Sequence, residues 1–529
     1  MPIDLHQFPL SRHNLQFILG EKELSVTKLT LKITNKINHH TKVTFSLPID
    51  EPDKNQKVNA YLDGVLTNTT LQINLINLPV KKEDEKNQTK KDENQPEILF
   101  TGLITQLNLD VINQQYILIG EALSYTYKMD MQKNKRSFQN KQIAYNQLIK
   151  KVTEKYGSKV CHSRVTEDQK LGEIAVQYEE TDWEFLVRVA SRLHLGLVPS
   201  VINSEQWFIF GMPDGKETYI LNEESLHDHQ VIRNITEYQK LTANKQITVE
   251  EQDYLSYQVK NTKQYLALGD RVKNPAKLQK SETKDDKNTN QKDKKEKCLI
   301  VKQAVAQLDG GNFNYSYLLT PETGLRQPSQ KHPRIKGASI EGRVLEVKGD
   351  QVKIHLHKID KDQDPAQAAW FTYTTAYTAE KNTGWYVMPE KGDYIKLYFP
   401  TNNEAEAIAS GSSRKTKDAK RVILSKPYER YLRTAHGKEI KFGNDEILIS
   451  GYGKDDNEKS IVLIKMNETS GITIQSNNSN VMLYAKGALT VNSDHNLTLA
   501  AGNSLNIYCK TNSIEMNGPT LVKGLSKDN

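Results

Sequence analysis

The chain has 529 residues, enough for roughly three or four domains. Its formal net charge is +7 and lysine is interleaved with acidic residues, whereas nucleic-acid-binding proteins concentrate basic residues on one face, so we expect no nucleic-acid partner. No apolar run approaches the roughly eighteen residues of a membrane span, and residues 1–20 lack a signal peptide. We therefore expect a chain that folds in the cytoplasm and leaves the cell only if a dedicated machine moves it.

The N-terminal part, up to about residue 125, is predicted to form β-strands. Segments such as "KVTFSLPI" and "QQYILIGEAL" alternate apolar and polar residues or are rich in β-branched ones, with turn residues between them. Residues 81–95 lie between two of these segments, contain no apolar residue and are dense in charge. Such a composition predicts a solvated loop without a core.

Two helices are predicted to follow. Asn140 is a candidate N-cap for the first, which Gly157 ends. The second begins at a capping box, in which the Thr181 hydroxyl accepts from the Glu184 N–H and the Glu184 carboxylate accepts from the Thr181 N–H. It ends at Gly196, and the segments "LGLVPSV" and "QWFIFGM" after it predict a hairpin.

Two segments in this region resemble a known family. "KNKRSFQNK" (133–141) and "VQYEETDWEFLVRVASRLHLGLVPS" (176–200) resemble the hub segment of VgrG, the spike protein of type VI secretion systems, which is similar to fused phage tail hub and tail spike proteins. The resemblance implies a barrel-like hub over residues 1–330, with a second strand-rich half at 225–325, and a ring of three hubs on an inner tube. Within that half, the polar run 277–297 is expected to be a loop.

Residues 331–413 predict a small β-barrel. About five short strands suit an oligonucleotide/oligosaccharide-type barrel, and the first two form a hairpin that turns at Lys348, Gly349 and Asp350. The trace "GRV…W…GW…MPEKGDYIKLYF…EAIASGSS" resembles the barrel below the VgrG hub. Exposed aromatic residues on such barrels can bind nucleic acid or sugar, but alternating aromatics in a small barrel are mostly core, which we favour. The candidates are Trp370, Phe371, Tyr373, Trp385 and Tyr386.

The C-terminal part repeats every eight residues. Residues 414–470 predict a neck of short strands, and 471–516 a needle whose units contain two large apolar residues, a small one and a three-residue turn. This alternation predicts short strands with one buried face, and a fixed repeat predicts a fibrous or solenoidal array. An eight-residue repeat suits a triangular coil in which one chain supplies one side. Identical copies then supply the other sides around a common axis. The alternative is an antiparallel meander packed on another sheet.

The large apolar positions of the needle are expected to face that common axis. The predicted trimer-interface residues are Ile472, Ile474, Val481, Leu483, Leu489, Val491, Leu497, Leu499, Leu505, Ile507, Ile514 and Met516. A tip protein, which in the VgrG family is a PAAR-repeat protein, is predicted to dock on Ile514, Met516, Asn517 and Gly518. The polar tail 517–529 is expected to carry no folded domain.

No active site, cofactor site or metal site is predicted, and we expect a protein that is not an enzyme. His355 and His357 share a strand face and His227 and His229 flank Asp228, but neither set has a further ligand nearby, so structural roles are favoured. A polysaccharide-degrading tail spike would need carboxylates on the outward needle positions. None of those positions carries a carboxylate, which argues against such an enzyme. They are Met482, Tyr484, Thr490, Asn492, Thr498, Ala500, Asn506 and Tyr508.

The sequence therefore predicts a mainly β protein with a few helices. Its parts are the hub, the small barrel and a C-terminal intertwined trimeric β-helix or prism. The predicted function is that of a membrane-puncturing spike of a contractile injection machine. Its expected partners are two further copies, an inner-tube protein, baseplate proteins, a PAAR-type tip protein, effectors and, transiently, a target membrane. A phage or bacteriocin baseplate hub-spike is the alternative.

Overall fold

A computed structural model describes residues 9–49, 68–76, 97–201, 205–213, 215, 218–221, 228–242, 254–273, 298–377, 384–413, 415, 428–452, 460–510 and 512–517. The predicted loops at 81–95 and 277–297 lie outside the described residues. The chain divides into two compact units, Met1–Lys415 and Thr416–Asn529. Among the described residues, none of the helices has the length and apolar character needed to cross a membrane.

The first part of the larger unit is a set of antiparallel strands. They are β1 (Leu15–Leu19), β2 (Lys22–Leu24), β3 (Thr30–Lys36), β4 (Lys42–Ile49), β5 (Thr70–Leu75), β6 (Glu97–Ile112) and β7 (Gln115–Ser124). Alternate residues of β1 and β4 are buried, as the period-two pattern predicts. At Gly120 a Cβ atom would lie 2.3 Å from the Phe45 ring, so only glycine lets β7 approach this side chain.

A helical insert with its own core follows. It contains β8 (Lys133–Phe138), α1 (Tyr145–Thr153), β9 (Cys161–Ser163), β10 (Ala175–Thr181), α2 (Asp182–Ser191), β11 (Leu197–Pro199) and β12 (Phe208–Phe210). The predicted capping box of α2 is confirmed, and β11 and β12 form the predicted antiparallel pair. The predicted cap of α1 was wrong: its N-cap is Ala144, and Asn140 Oδ1 instead accepts from Gln142 N at 2.9 Å in a turn ahead of the helix.

The remaining hub strands extend the first set into one sheet. They are β13 (Thr218–Tyr219), β14 (His229–Arg233), β15 (Leu255–Thr262), β16 (Arg271–Lys273), β17 (Cys298–Asp309) and β18 (Asn312–Thr320), with α3 (Ile235–Thr242) after β14. The main path of this thirteen-stranded sheet runs β14-β15-β18-β17-β3-β4-β7-β6-β5-β1-β2. The antiparallel pairing of β17 with β3 joins the two halves.

The predicted small barrel is confirmed. Its strands are β19 (Ser339–Lys348), β20 (Gln351–His355), β21 (Trp370–Thr374), β22 (Tyr394–Tyr398) and β23 (Ile408–Ser413), and they close in the order β19-β20-β21-β23-β22. Gly349 sits in the β19–β20 turn with φ of 57°, a conformation that favours glycine. Ile354, Leu397 and Phe399 fill the interior.

The smaller unit begins with a five-stranded antiparallel meander. Its strands are β24 (Arg430–Arg433), β25 (Lys438–Phe442), β26 (Glu446–Tyr452), β27 (Ser460–Asn467) and β28 (Gly471–Ser476). A separate antiparallel pair, β29 (Ser504–Cys509) and β30 (Asn512–Asn517), lies near the C-terminus. Residues 477–503, which carry the middle of the octad repeat, form no strand within the single chain.

Candidate functional site

The segments that carry the family resemblance lie at the junction between the helical insert and the barrel. Arg188 of α2 is 1% exposed and is held by carboxylates from both sides. Its Nε and Nη2 donate to the two oxygens of Glu180 at 2.8 Å each, and its Nη1 donates to Glu404 Oε2 at 2.9 Å. Glu404 belongs to the turn before β23, and its Oε1 accepts from Val176 N at 2.6 Å. One buried guanidinium therefore joins the insert to the barrel.

Two further side chains complete this cluster. Arg192 donates to Glu404 Oε2 at 2.6 Å, so two guanidiniums face two carboxylates and the formal charges balance. His332, which is fully buried on the connector between hub and barrel, places Nε2 3.3 Å from Glu180 Oε2 without a well-directed hydrogen bond. We define Glu180, Arg188, Arg192, His332 and Glu404 as the junction cluster.

The protonation states within the junction cluster follow from burial and charge. Burial alone would raise the pKa of Glu404, but the attraction of Arg188 and Arg192 outweighs it and holds that pKa below its usual value. Burial raises the pKa of Glu180, and the hydrogen bonds from Arg188 offset only part of this effect. Burial and the nearby positive charge of Arg188 lower the pKa of His332 to about 4, so its imidazole is neutral at pH 7.

A second buried carboxylate of the same motif anchors the insert itself. Asp182 is fully buried. Tyr156 Oη and Lys155 Nζ each lie 2.8 Å from its Oδ2, and Gln177 Nε2 donates to Oδ1 at 2.9 Å. Asn134 and Arg136, from the first resembling segment, also donate to Oδ1. The two resembling segments therefore meet at one carboxylate.

The first resembling segment also contacts the barrel directly. Ser137 donates to both oxygens of Asp360, from its backbone N at 2.6 Å and from its hydroxyl. Gln139 Nε2 donates to the Ile354 carbonyl at 3.0 Å, and its Oε1 accepts from Ala369 N at 3.2 Å. These contacts add hydrogen bonds between the insert and the barrel.

Two of the five residues of the junction cluster, Glu404 and His332, could not be recognised from the sequence. Glu180 and Arg188 belong to the motif that carries the resemblance, but Glu404 sits in an unremarkable "NNEAEA" turn and His332 in a connector between domains. Nothing in their local pattern distinguishes them from exposed residues, because their partners lie more than 140 residues away in the chain. Only the fold brings these side chains together.

The meander of the smaller unit has one apolar face that the described residues of this unit leave uncovered. Its register aligns one aliphatic residue from each of five strands in a single row: Leu432, Ile440, Ile449, Ile464 and Ile474. A second row on the same face holds Phe442, Ile447, Met466 and Ile472. Apart from the half-buried Ile440, these side chains are between 38% and 73% exposed. We call this surface the apolar face.

The opposite face of the same sheet is charged. Arg433 pairs with Glu439 at 3.5 Å, and Lys441 pairs with Glu446 at 3.1 Å. Lys465 lies 3.8 Å from the same Glu446 carboxylate. The two faces of the sheet therefore differ in polarity, and among the described residues of the smaller unit none covers the apolar one.

The predicted axis residues are exposed in the single chain. Val481, Leu483, Leu489, Val491, Leu497 and Leu499 are between 53% and 68% exposed. Ile472 and Ile474 lie on the apolar face described above, while the β29–β30 register places Leu505 opposite Met516 and Ile507 opposite Ile514. Asn517 ends β30 opposite Ser504, and Gly518 lies outside the described residues.

The barrel aromatics and the histidine pairs singled out in the sequence do not form a binding site in the described structure. Phe371 is core, Trp370 and Tyr373 are half-buried, and Trp385 and Tyr386 are exposed on the loop before β22. His355 Nε2 lies 3.1 Å from the Asp360 carbonyl, His357 Nε2 lies 3.1 Å from Glu341, and His227 lies outside the described residues. Among the described residues, no group of three or more His, Cys, Asp or Glu side chains could hold a metal ion.

In fold, the chain is similar to solved structures of complexes that contain VgrG. A solved PdpA–VgrG complex in a form described as lidless matches 90% of this chain and all of its own, with a TM-score of 0.50 and 9% identity. The Francisella PdpA–VgrG complex, lidded, matches 87% of this chain and 79% of its own, with a TM-score of 0.49 and 9% identity.

An E. coli protein, c3393, gives a similar result. It is described as a component of the type VI secretion system with structural similarity to the T4 bacteriophage tail proteins gp27 and gp5. The match covers 76% of this chain and 100% of that one, with a TM-score of 0.49 and 11% identity. No protein-family model and no curated protein matches the chain by sequence. The likeness is therefore one of fold.

Proposed function

We propose that this chain is the trimeric spike of a contractile injection machine, of the type VI secretion kind or a related tail-like device. In this proposal residues 1–330 form the hub, 331–413 the barrel, 414–470 the neck, 471–516 the needle and 517–529 a polar tail. The observation that carries the proposal is the uncovered apolar face, continued by exposed alternating apolar residues along 481–507. The VgrG-like fold supports it independently.

Self-association follows from the cost of leaving these residues in water. Burying a large aliphatic side chain is worth roughly 1.5–3 kcal/mol, and a soluble protein rarely exposes so many in one contiguous patch. When three copies turn their apolar faces inward, the apolar side chains are buried and the charged faces stay in water. The octads then supply one side each of a common needle, which gives residues 477–503 the strand neighbours that the single chain does not provide.

The junction cluster supports the mechanical part of the proposal. A spike transmits axial force from the tube through the hub and barrel to the needle, so each joint must resist separation. Arg188, fully desolvated and paired with carboxylates on both sides, joins the insert to the barrel by charge-assisted hydrogen bonds. Such a role requires no covalent chemistry. Burial raises the pKa of the Cys161 thiol to about 12, so this thiol is unreactive at neutral pH.

The remaining partners belong to the same proposal. The hub ring sits on an inner-tube protein and contacts baseplate proteins, and the needle end at Ile514, Met516, Asn517 and Gly518 receives a PAAR-type tip protein. Effectors travel on the assembled spike, which is built in the cytoplasm, injected by the machine and brought transiently against a target membrane.

The test is the mass of the purified chain in solution, measured by light scattering. We expect three times the 60.3 kDa chain mass. Ile474→Lys places a charge on the apolar face and Leu497→Asp places one in the octads, and each is expected to reduce the trimer to monomer while the hub stays folded. Gln475→Lys is the matched control, because it adds the same charge to the same strand on the opposite face.

A wild-type monomer with intact β-structure would contradict the proposal. So would a trimer that survives both Ile474→Lys and Leu497→Asp, since the chain would then associate through another surface.

A further inference from the structure

The connector between hub and barrel, residues 326–338, is fastened along one side of α2. Gln327 N donates to the His194 carbonyl at 3.0 Å, and Gln330 N donates to Ser191 Oγ at 2.9 Å. Further along, Arg334 Nη2 donates to Glu184 Oε1 at 2.8 Å. His332 lies between the last two of these attachments and is the connector residue that enters the junction cluster.

His332 is placed so that its neutral form is required. Its Nδ1 accepts from Arg334 N at 3.1 Å, and its own N donates to the Asn402 carbonyl at 3.1 Å. Because Nδ1 accepts, the single proton of the neutral ring lies on Nε2, which faces Glu180. Protonation of Nδ1 would turn this acceptor into a donor that faces another donor.

The charges around His332 leave no place for a further cation. The groups that face it are Glu180 of β10, Arg188 and Arg192 of the α2 region, Glu404 of the turn before β23 and Arg334 of the connector. Within the junction cluster the two carboxylates are already paired with two guanidiniums. A protonated His332 would therefore be a third buried cation opposite two anions, without water to solvate it.

We propose that His332 is an acid-sensitive lock, which holds the barrel and connector against the helical insert at neutral pH and releases them when it is protonated. This goes beyond the proposed spike function, because it concerns one joint within a single chain and stands whether or not the chain forms trimers. The released state exposes the junction cluster to water, where each charged group can be solvated separately.

The direction of the pH effect follows from proton linkage. The imidazole has a pKa of about 4 in the closed junction against 6.5 for an unperturbed histidine, so the open state binds more protons between these values. Falling pH therefore favours opening, by about 25-fold in the opening equilibrium between pH 7.5 and pH 5.0. Glu180, whose pKa burial raises in the closed state, acts in the opposite direction, so variants that keep Glu180 isolate the contribution of His332.

The experiment is hydrogen exchange of the full chain at pH 7.5 and pH 5.0, corrected for the intrinsic pH dependence of amide exchange. In the wild type we expect the protection of amides in 174–192 and 326–338 to fall by about 25-fold from His332 alone. The opposing effect of Glu180 makes the observed fall smaller. Protection of the β17–β18 hairpin of the hub sheet should be unchanged. Uniform retention of protection in the wild type, or a uniform loss that includes β17 and β18, would overturn the proposal.

Two substitutions separate His332 from the rest of the cluster. In His332→Asn the side-chain oxygen can still accept from Arg334 N, and His332→Gln is closer in length; neither side chain titrates, so the pH-dependent loss of protection should shrink to less than about 3-fold. His162→Asn, at an exposed histidine of β9, is the control and should behave as the wild type. An equal loss in wild type and His332 variants would show that another group drives the opening. If neither variant folds, the wild-type comparison of junction with β17–β18 remains decisive.

Discussion

Arg188 is a buried charge whose hydrogen-bonding groups all have partners within the protein. Every nitrogen of its guanidinium donates to a carboxylate or to a carbonyl: Glu180, Glu404 or the Val176 oxygen. Burial disfavours its charge, but the two carboxylates more than compensate and raise its pKa. An ion pair of this kind adds little net stability compared with an apolar replacement, yet removing one partner is costly because it strands the other charge.

The junction can be tested at Glu404. Glu404→Gln removes the charge that Arg188 and Arg192 share, and we expect a loss of about 3 kcal/mol in the free energy of unfolding of the larger unit. Denaturant unfolding followed by tryptophan fluorescence measures it. Glu406→Gln, two positions along on an exposed part of the same turn, is the matched control. Equal losses for both would mean that the turn itself, and not the buried pairing, is sensitive.

At the scale of helices and strands, the sequence predicted those features that depend on residues close together in the chain. The Thr181 capping box, the β11–β12 hairpin and the five-stranded barrel all depend on residues close in sequence, and each is confirmed. The Asn140 cap was wrong because an Asn before a helix can equally close a turn of its own, and here Asn140 does so with Gln142 N. Glu404 and His332 could not be predicted, since their roles depend on contacts across domains.

The capping box of α2 provides a second test. Thr181→Ala removes an acceptor for Glu184 N, observed at 3.1 Å, and also the hydroxyl that bonds to Asp130. We expect a loss of about 1 kcal/mol from the cap alone, measured by denaturant unfolding. Thr181→Ser keeps the hydroxyl and should retain most of the stability. If Thr181→Ser loses as much as Thr181→Ala, methyl packing and not capping would be the cause.

At the scale of the whole molecule, the two units differ in how far they bury their own apolar residues. The larger one is closed on itself, with buried cores in the sheet, the insert and the barrel. In the smaller one, the described residues leave the most apolar surface exposed. Of the residues on that surface, the octad pattern singled out only Ile472 and Ile474, while the aligned row across β24–β28 emerges only from the register of the meander. Pairwise register of five separate strands is not encoded in any local pattern.

The nature of the proposed trimer contact can be tested with salt. Burial of the apolar face does not depend on screened charges, so raising sodium chloride from 0.1 M to 1 M should leave the trimer mass unchanged. An association through the charged face, where Arg433, Lys441 and Lys465 meet carboxylates, would weaken under the same change. Light scattering at both salt concentrations distinguishes the two, and dissociation at 1 M would contradict an apolar contact.

The open edges of the meander have a consequence for the time before assembly. Within the described residues, the smaller unit presents an aliphatic surface and, at β24 and β28, two strands that each have one edge without a partner in their sheet. Such a combination is a template for edge-to-edge stacking into fibres, which would compete with the proposed closure of three copies into a ring. We therefore expect the yield of assembled protein to depend on how quickly copies associate, as well as on the stability of the folded chain.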